Sequence, residues 1–208
     1  MLPLPSRPEL RARLPRLLVG LVLFGIGLAL MVASELGLAP WEVLHQGISF
    51  HTGISIGAVG IITGFIVLLA WLPIRERFGM GTVLNVIVIG VVIDATLWAL
   101  PETLPGLGTR WVALLGGIVI IGIGSGFYIG AGLGPGPRDG LMTGIARRGH
   151  RVAKVRTIIE ITALGAGWLL GGTVGVGTAL FAFGIGPIVQ VSLDRLSLAP
   201  VAAKRSAI

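Results

Sequence analysis

ASELGLAPWEVLHQGIS, residues 33–49, and GAGLGPGPRDGLMTGIA, residues 130–146, are two copies of one pattern. Leu36-Gly37, Pro40, Leu44 and Gly47-Ile48 of the first are matched by Leu133-Gly134, Pro137, Leu141 and Gly144-Ile145 of the second. Acidic Glu42 falls opposite acidic Asp139. Past a one-residue gap the match resumes, with Gly79-Met80-Gly81-Thr82 facing Gly175-Val176-Gly177-Thr178. A duplication with an odd number of membrane spans per half forces the halves to be inverted, and inverted repeats characterise secondary transporters.

Working outward, apolar runs flank both copies. Hydrophobic residues make up 54% of the 208 and charged residues 12%, against about a quarter charged in soluble domains. Six runs near 17–36, 55–74, 82–100, 111–131, 152–170 and 176–194 approach the length of about 20 residues that crosses a hydrocarbon core. The expected fold is all-α: a polytopic transmembrane helix bundle whose six spans form two inverted three-span repeats. Residues 1–208 read as one membrane domain, with repeat 1 at about 17–100, repeat 2 at about 111–195, and tails at 1–16 and 196–208. The first run follows a basic leader, as a signal peptide does. Its length and its counterpart in the second half favour a retained span.

The net charge of +7 does not point to nucleic acid, because its distribution reports topology. Arg7, Arg11, Arg13 and Arg16, then Arg75 and Arg77, then Arg138, Arg147, Arg148, Arg151, Lys154 and Arg156, then Arg195, Lys204 and Arg205 occupy alternate connections. Only Arg110 lies on the opposite side. By the positive-inside rule both termini are expected to be cytoplasmic. With no cysteine there is no disulfide, thiolate metal site or cysteine nucleophile. His45, His51 and His150 fall on opposite sides, so no metal site is expected. Gly-rich GIGSGFYIGAG lies inside a span rather than after a strand, which removes a phosphate-loop reading. We expect neither an enzyme nor a cofactor.

Each half follows one plan: a span, a Gly/Pro break, a short amphipathic segment, and two more spans. The breaks centre on Gly37 and Pro40, and on Gly134, Pro135 and Pro137. Proline suits the first turn of a helix, so Pro40 and Pro137 are expected to start short helices with exposed amides. The breaks either re-enter the membrane beside a central site or lie flat in the interface. The glycine ladder from Gly122 to Gly136 suits close helix packing within one chain, with a homodimer as the second use. Pro187 should kink the last span. Trp41, Trp71, Trp98, Trp111 and Trp168 fall near span ends, where aromatic anchors sit.

Charges inside spans are costly and usually face a bundle interior or a water-filled path. Glu160 and Arg156, at i and i−4, form either a substrate or proton site or a structural ion pair. Asp94 aligns with Gln190 through the repeat; the two could line one polar path, or Asp94 could make an interhelical hydrogen bond. Arg138 and Asp139 follow the second break as Trp41 and Glu42 follow the first. An acid there serves a site or simply complements a helix N-terminus. His45 and Gln46 could extend that lining, although a lone interfacial histidine is commonly just solvated.

LGLAPWEVLHQGIS, TGISIG, GMGTVLN with IGVVID, YIGAGLGPGPRDGLMTGI, VRTIIE, and GWLLGGTVGVGTALFA with IGP together resemble the YczE-like bacterial membrane proteins, relatives of the YitT type. The resemblance is collinear over about residues 17–195, and Glu42 stands where that pattern leads one to expect Asp. It implies a small polytopic protein of the bacterial cytoplasmic membrane and supplies no substrate. The expected function is a permease-like secondary transporter that moves a small polar solute or anion by alternating access. A membrane scaffold or a dimeric channel is the alternative. The expected partners are the lipid bilayer, a small solute and a second copy, with no nucleic acid.

Overall fold

The computed structural model describes residues 6–198; Lys204 and Arg205 of the expected cytoplasmic tail lie outside the described residues. The chain order is α1 (Arg7–Ser34), α2 (Pro40–Thr52), α3 (Ile56–Leu69), α4 (Trp71–Ile74), α5 (Met80–Ala99), α6 (Gly106–Gly130), α7 (Pro137–Ala146), α8 (Val152–Leu169) and α9 (Val176–Leu196). Among the described residues all regular structure is helical.

Among the described residues, five helical stretches are long and apolar enough to cross a membrane: α1, α3 with α4, α5, α6 and α9. The sixth expected span is helical over Val152–Leu169. Its 18 residues include Lys154, Arg156 and Glu160, and that charge sets it apart from the five. The basic leader is itself helical: α1 starts at Arg7, where the Ser6 amide donates to Glu9 Oε2 at 3.0 Å and caps the first turn. Helix α9 runs unbroken through Pro187.

Large apolar side chains cover the outside. Ile66, Leu69, Leu72, Trp98, Val112 and Phe183 are all exposed, as a bilayer solvent permits. With lipid as apolar as leucine, helices associate through close packing rather than hydrophobic burial. Glycines supply that packing. A Cβ on Gly20 would lie 2.7 Å from the Gly124 carbonyl oxygen, and one on Gly124 the same 2.7 Å from that of Gly20. Gly27 and Gly117 repeat the arrangement, also at 2.7 Å each way. Position rises along α1 as it falls along α6, so the two helices cross antiparallel. Gly126 and Gly130 are pressed against Ser192 and Ser197. The ladder therefore packs α6 between α1 and α9 of the same chain.

The two breaks are built alike. Gly37 has φ +121° and Gly134 φ +127°, conformations that favour glycine. The Gly177 amide donates to the Leu36 carbonyl at 2.8 Å, and the Gly81 amide to the Leu133 carbonyl at 2.9 Å. Thr178 and Thr82 each accept, at 3.2 Å, the amide of the glycine three residues earlier. Each break is thus tied to the Gly-x-Gly-Thr start of a helix in the other half, which is why both patterns recur together in the sequence.

One difference separates the halves. Helix α3 packs along α5, with Gly57, Gly64 and Gly90 at the seam. Their counterparts α8 and α9 barely touch, and Gly184 and Gly186 face open space.

Candidate functional site at the meeting of the two breaks

Pro40 and Pro137 occupy the first turns of α2 and α7, and neither helix has a side-chain N-cap. The free N–H groups of a helix start carry partial positive charge. These two starts meet in the protein interior. Arg138 Nη2 donates to Glu42 Oε1 at 2.9 Å, and the Arg138 guanidinium lies 4.8 Å from the centre of the Trp41 ring. Trp41 and Arg138 hold equivalent positions in the two sequence copies, so the copies touch at the same place in each.

Around this contact is a cavity of about 200 Å³. Its polar wall holds Trp41, Glu42, His45, Arg138, Asp139 and Tyr128, with Asn85 and the Arg156–Glu160 pair beside them. Leu28, Ile89, Ile93, Ile121, Ile185 and Val189 make the remainder largely apolar. Residues of α8 and α9 both line the cavity where those helices stand apart, and Glu160 and Arg156 are part-exposed there.

The polar wall is incompletely satisfied. Glu42 is 1% exposed and His45 2%. Trp41 Nε1, Glu42 Oε2 and both ring nitrogens of His45 are buried without a hydrogen-bond partner. Such atoms cost about 1–3 kcal/mol each when left unpaired. His45 Nδ1 is 3.8 Å from Glu42 Oε1, too far for a hydrogen bond. Burial, reinforced by Arg138 and opposed by Glu42, pushes the His45 imidazole from 6.5 down to about 4. The ring is therefore neutral at pH 7 and offers one donor and one acceptor. Asp139 Oδ2 accepts the Tyr128 hydroxyl at 3.0 Å, and burial raises its carboxyl above the ordinary range.

With this geometry in view, similarity to other proteins places the chain. The model of a family of unknown function, DUF6198, matches residues 11–194. The chain belongs to the DUF6198 family. An uncharacterized protein of Haemophilus influenzae is 44% identical over 186 residues, covering 88% of this chain and 84% of the relative. The uncharacterized membrane protein YczE of Bacillus subtilis is 37% identical over 91% of this chain and 89% of its own. The uncharacterized protein YyaS of Bacillus subtilis is 26% identical over 78% and 83%. No solved structure matches. The YczE-like resemblance carried by the motifs is shown, and with it a membrane protein with several apolar helices.

In this DUF6198 protein the sequence-predicted residues divide. Glu42, Arg138, Asp139, Arg156 and Glu160 line one cavity. Asp94 and Gln190 share no polar path with them. Asp94 accepts the Ser55 hydroxyl at 2.6 Å and the Gly57 amide at 2.8 Å, holding the start of α3 against α5. Gln190 is directed along its own helix to Asp194 at 3.1 Å. Gln46 accepts the Thr173 amide at 2.7 Å and ties α2 to the turn before α9. Two tryptophans depart from the anchor expectation. Trp41 lines the cavity, and Trp71 is buried, donating from Nε1 to the Pro137 carbonyl at 3.0 Å. Trp98 and Trp168 are exposed. Arg110, the charge on the opposite side, donates to the Ser34 carbonyl at 2.6 Å and pairs with Glu35 at the end of α1. Sequence reasoning passed over Tyr128 and Asn85. The signal for Tyr128 was present, since it is the single tyrosine of the chain and lies inside an apolar run.

Proposed function

We propose that this protein is a small secondary transporter of the bacterial cytoplasmic membrane, working by alternating access to the cavity between α2 and α7. Counting α8 as a span gives six, arranged as two inverted three-span repeats with both termini cytoplasmic. The carrying observation is the cavity itself: both breaks border it, and buried polar atoms face it without partners. The reciprocal glycine contacts of α1 with α6, and the stacking of equivalent residues Trp41 and Arg138, support two halves related by a two-fold axis in the membrane plane. The tight α3–α5 seam and the gap between α8 and α9 support an exchange of roles, in which one half opens as the other closes. In this reading one chain supplies the residues that line the cavity. It uses no cofactor and performs no chemistry on the solute. Both cavity arginines already pair with glutamates, which argues against the simple anion expected from the arginine count.

The natural absence of cysteine makes the test direct. Single cysteines at Gly186, beside the α8–α9 gap, and at Thr63, on the cavity side of α3, are labelled with a membrane-impermeant maleimide from each face. The transporter reading expects 186 to react from one face, 63 from the other, and any condition that raises one to lower the other. Labelling of both from both faces at once means a pore. If neither reacts, or 63 stays protected throughout, the cavity does not alternate and the transporter reading fails.

A further inference from the structure

The unpaired groups of the cavity specify more than a polar solute. Two kinds of spare capacity lie side by side on its wall. Glu42 Oε2 and one His45 nitrogen are acceptors with no donor, and the Asp139 carboxyl lines the same cavity. Trp41 Nε1 is a donor with no acceptor, next to two helix starts without side-chain caps. The Arg138 guanidinium is tied to Glu42 through Nη2 and lies over the Trp41 ring.

Candidate solutes can be ranked by what each leaves unpaired. A simple anion meets the helix starts and Trp41, but it leaves Glu42 Oε2 bare and faces three carboxyl groups. A simple amine satisfies Glu42 and His45, but leaves the indole N–H and the helix starts without an acceptor. A molecule carrying both an ammonium and a carboxylate pairs both sets and brings no net charge into a cavity whose remaining wall is largely apolar. Burying a charge without compensation is costly, so that neutrality decides between the three. The remaining wall, with Leu28, Ile89, Ile121 and Ile185, suits an aliphatic body. A volume of about 200 Å³ keeps that body small, below the roughly 300–1,000 Å³ of sites for drug-sized ligands.

We propose that the cavity binds a small zwitterion of the amino-acid class with an apolar side chain. Its ammonium sits at Glu42 Oε2 and His45, and its carboxylate at Trp41 Nε1 and the starts of α2 and α7. This assignment rests on the transporter reading for why a solute enters the cavity.

Full-length protein in nanodiscs is titrated by calorimetry with leucine and its two truncations, isopentylamine (no carboxylate) and 4-methylpentanoate (no ammonium). Leucine should bind saturably, with each truncation weaker by about 10-fold or more, since each loses a charge-assisted contact. Glu42→Gln should weaken leucine by about 10-fold or more and leave 4-methylpentanoate equal or better. Trp41→Phe, which removes the indole N–H, is the second variant should Glu42→Gln not fold, and should narrow the preference for leucine over isopentylamine. The assignment is overturned if either truncation matches leucine in the wild type, or if leucine does not bind. Labelling at 186 and 63 separates the two readings. Alternation without leucine binding removes the zwitterion and keeps the transporter; leucine binding without alternation does the reverse.

Discussion

Replacing Gly37 by alanine tests the break geometry most directly. At φ +121° an L-residue is strained whatever the space around it, and leaving the right-handed regions costs about 1–2 kcal/mol. Space is also lacking: the new Cβ would lie 2.8 Å from the amide nitrogens of both Gly175 and Thr178. Those atoms are backbone at the start of α9, and beside them the Gly177 amide bonds Leu36. Overpacking of this kind adds about 1–3 kcal/mol, for a total near 2–5 kcal/mol. Gly134→Ala should cost a similar amount, with φ +127° and a Cβ 2.7 Å from Thr82 Oγ1. Two controls bracket the pair. Gly53 has φ +71° with nothing within 4 Å, so alanine there carries the conformational cost alone, about 1–2 kcal/mol. Gly165 lies inside α8 and also faces open space, where alanine should gain up to about 1 kcal/mol from helix propensity. Thermal unfolding in detergent reads the series, at about 2–4 °C per kcal/mol for a chain of this size. The order of falling midpoints should be Gly165→Ala, wild type, Gly53→Ala, then Gly37→Ala with Gly134→Ala. If Gly37→Ala falls no further than Gly53→Ala, the close approach of break and helix start is not what holds the halves together.

Removing Arg138 should destabilise more than its part-exposed position suggests, because Glu42 is then left buried and unpaired. Arg138→Ala should cost about 3–5 kcal/mol, and adding Glu42→Gln should recover part of it; a midpoint unmoved by the double substitution refutes the pairing. His45 has a folded value, about 4, below its ordinary 6.5, so the unfolded chain binds the extra proton between them. Stability from the neutral ring is therefore present above about pH 6.5 and lost as pH falls towards 4, by about 3 kcal/mol in full. Asp139, raised rather than lowered, slopes the opposite way, so the wild type must be compared with His45→Gln, which should lack the acid-side loss in a pH series of melts. Asp94→Ala should cost about 1–3 kcal/mol through the lost α3 cap while leaving solute binding by calorimetry unchanged. A binding defect there would return Asp94 to the site.

The helical membrane class was legible because it needs only composition and run length, which survive any tertiary arrangement. Glu42, Arg138, Asp139, Arg156 and Glu160 were also legible, since charge in or beside an apolar span rarely lacks a reason. Asp94 looked the same in sequence and serves as a cap, because what distinguishes the two uses is which neighbour lies within 3 Å. Trp41 and His45 were read as interfacial from their distance to a span end. Only the inward turn of α2 buries His45 and brings the Trp41 ring to the cavity wall. Gly-x-Gly-Thr was visible as a repeated string without a reason; the reason is a hydrogen bond to a break far away in the chain, from Gly81 to Leu133 and from Gly177 to Leu36.

The sequence by itself determined the helical membrane class, the recurrence of one Gly/Pro pattern, and the two places where backbone must leave the helix, because span length, glycine conformation and proline's missing amide are local properties. Tertiary structure alone decided that the two breaks meet, that Arg138 stands against Glu42 and Trp41, and that α8 stands away from α9. Those facts depend on which surfaces approach within a few ångströms, and close packing between glycines, unlike hydrophobic periodicity, leaves no directional pattern along the chain.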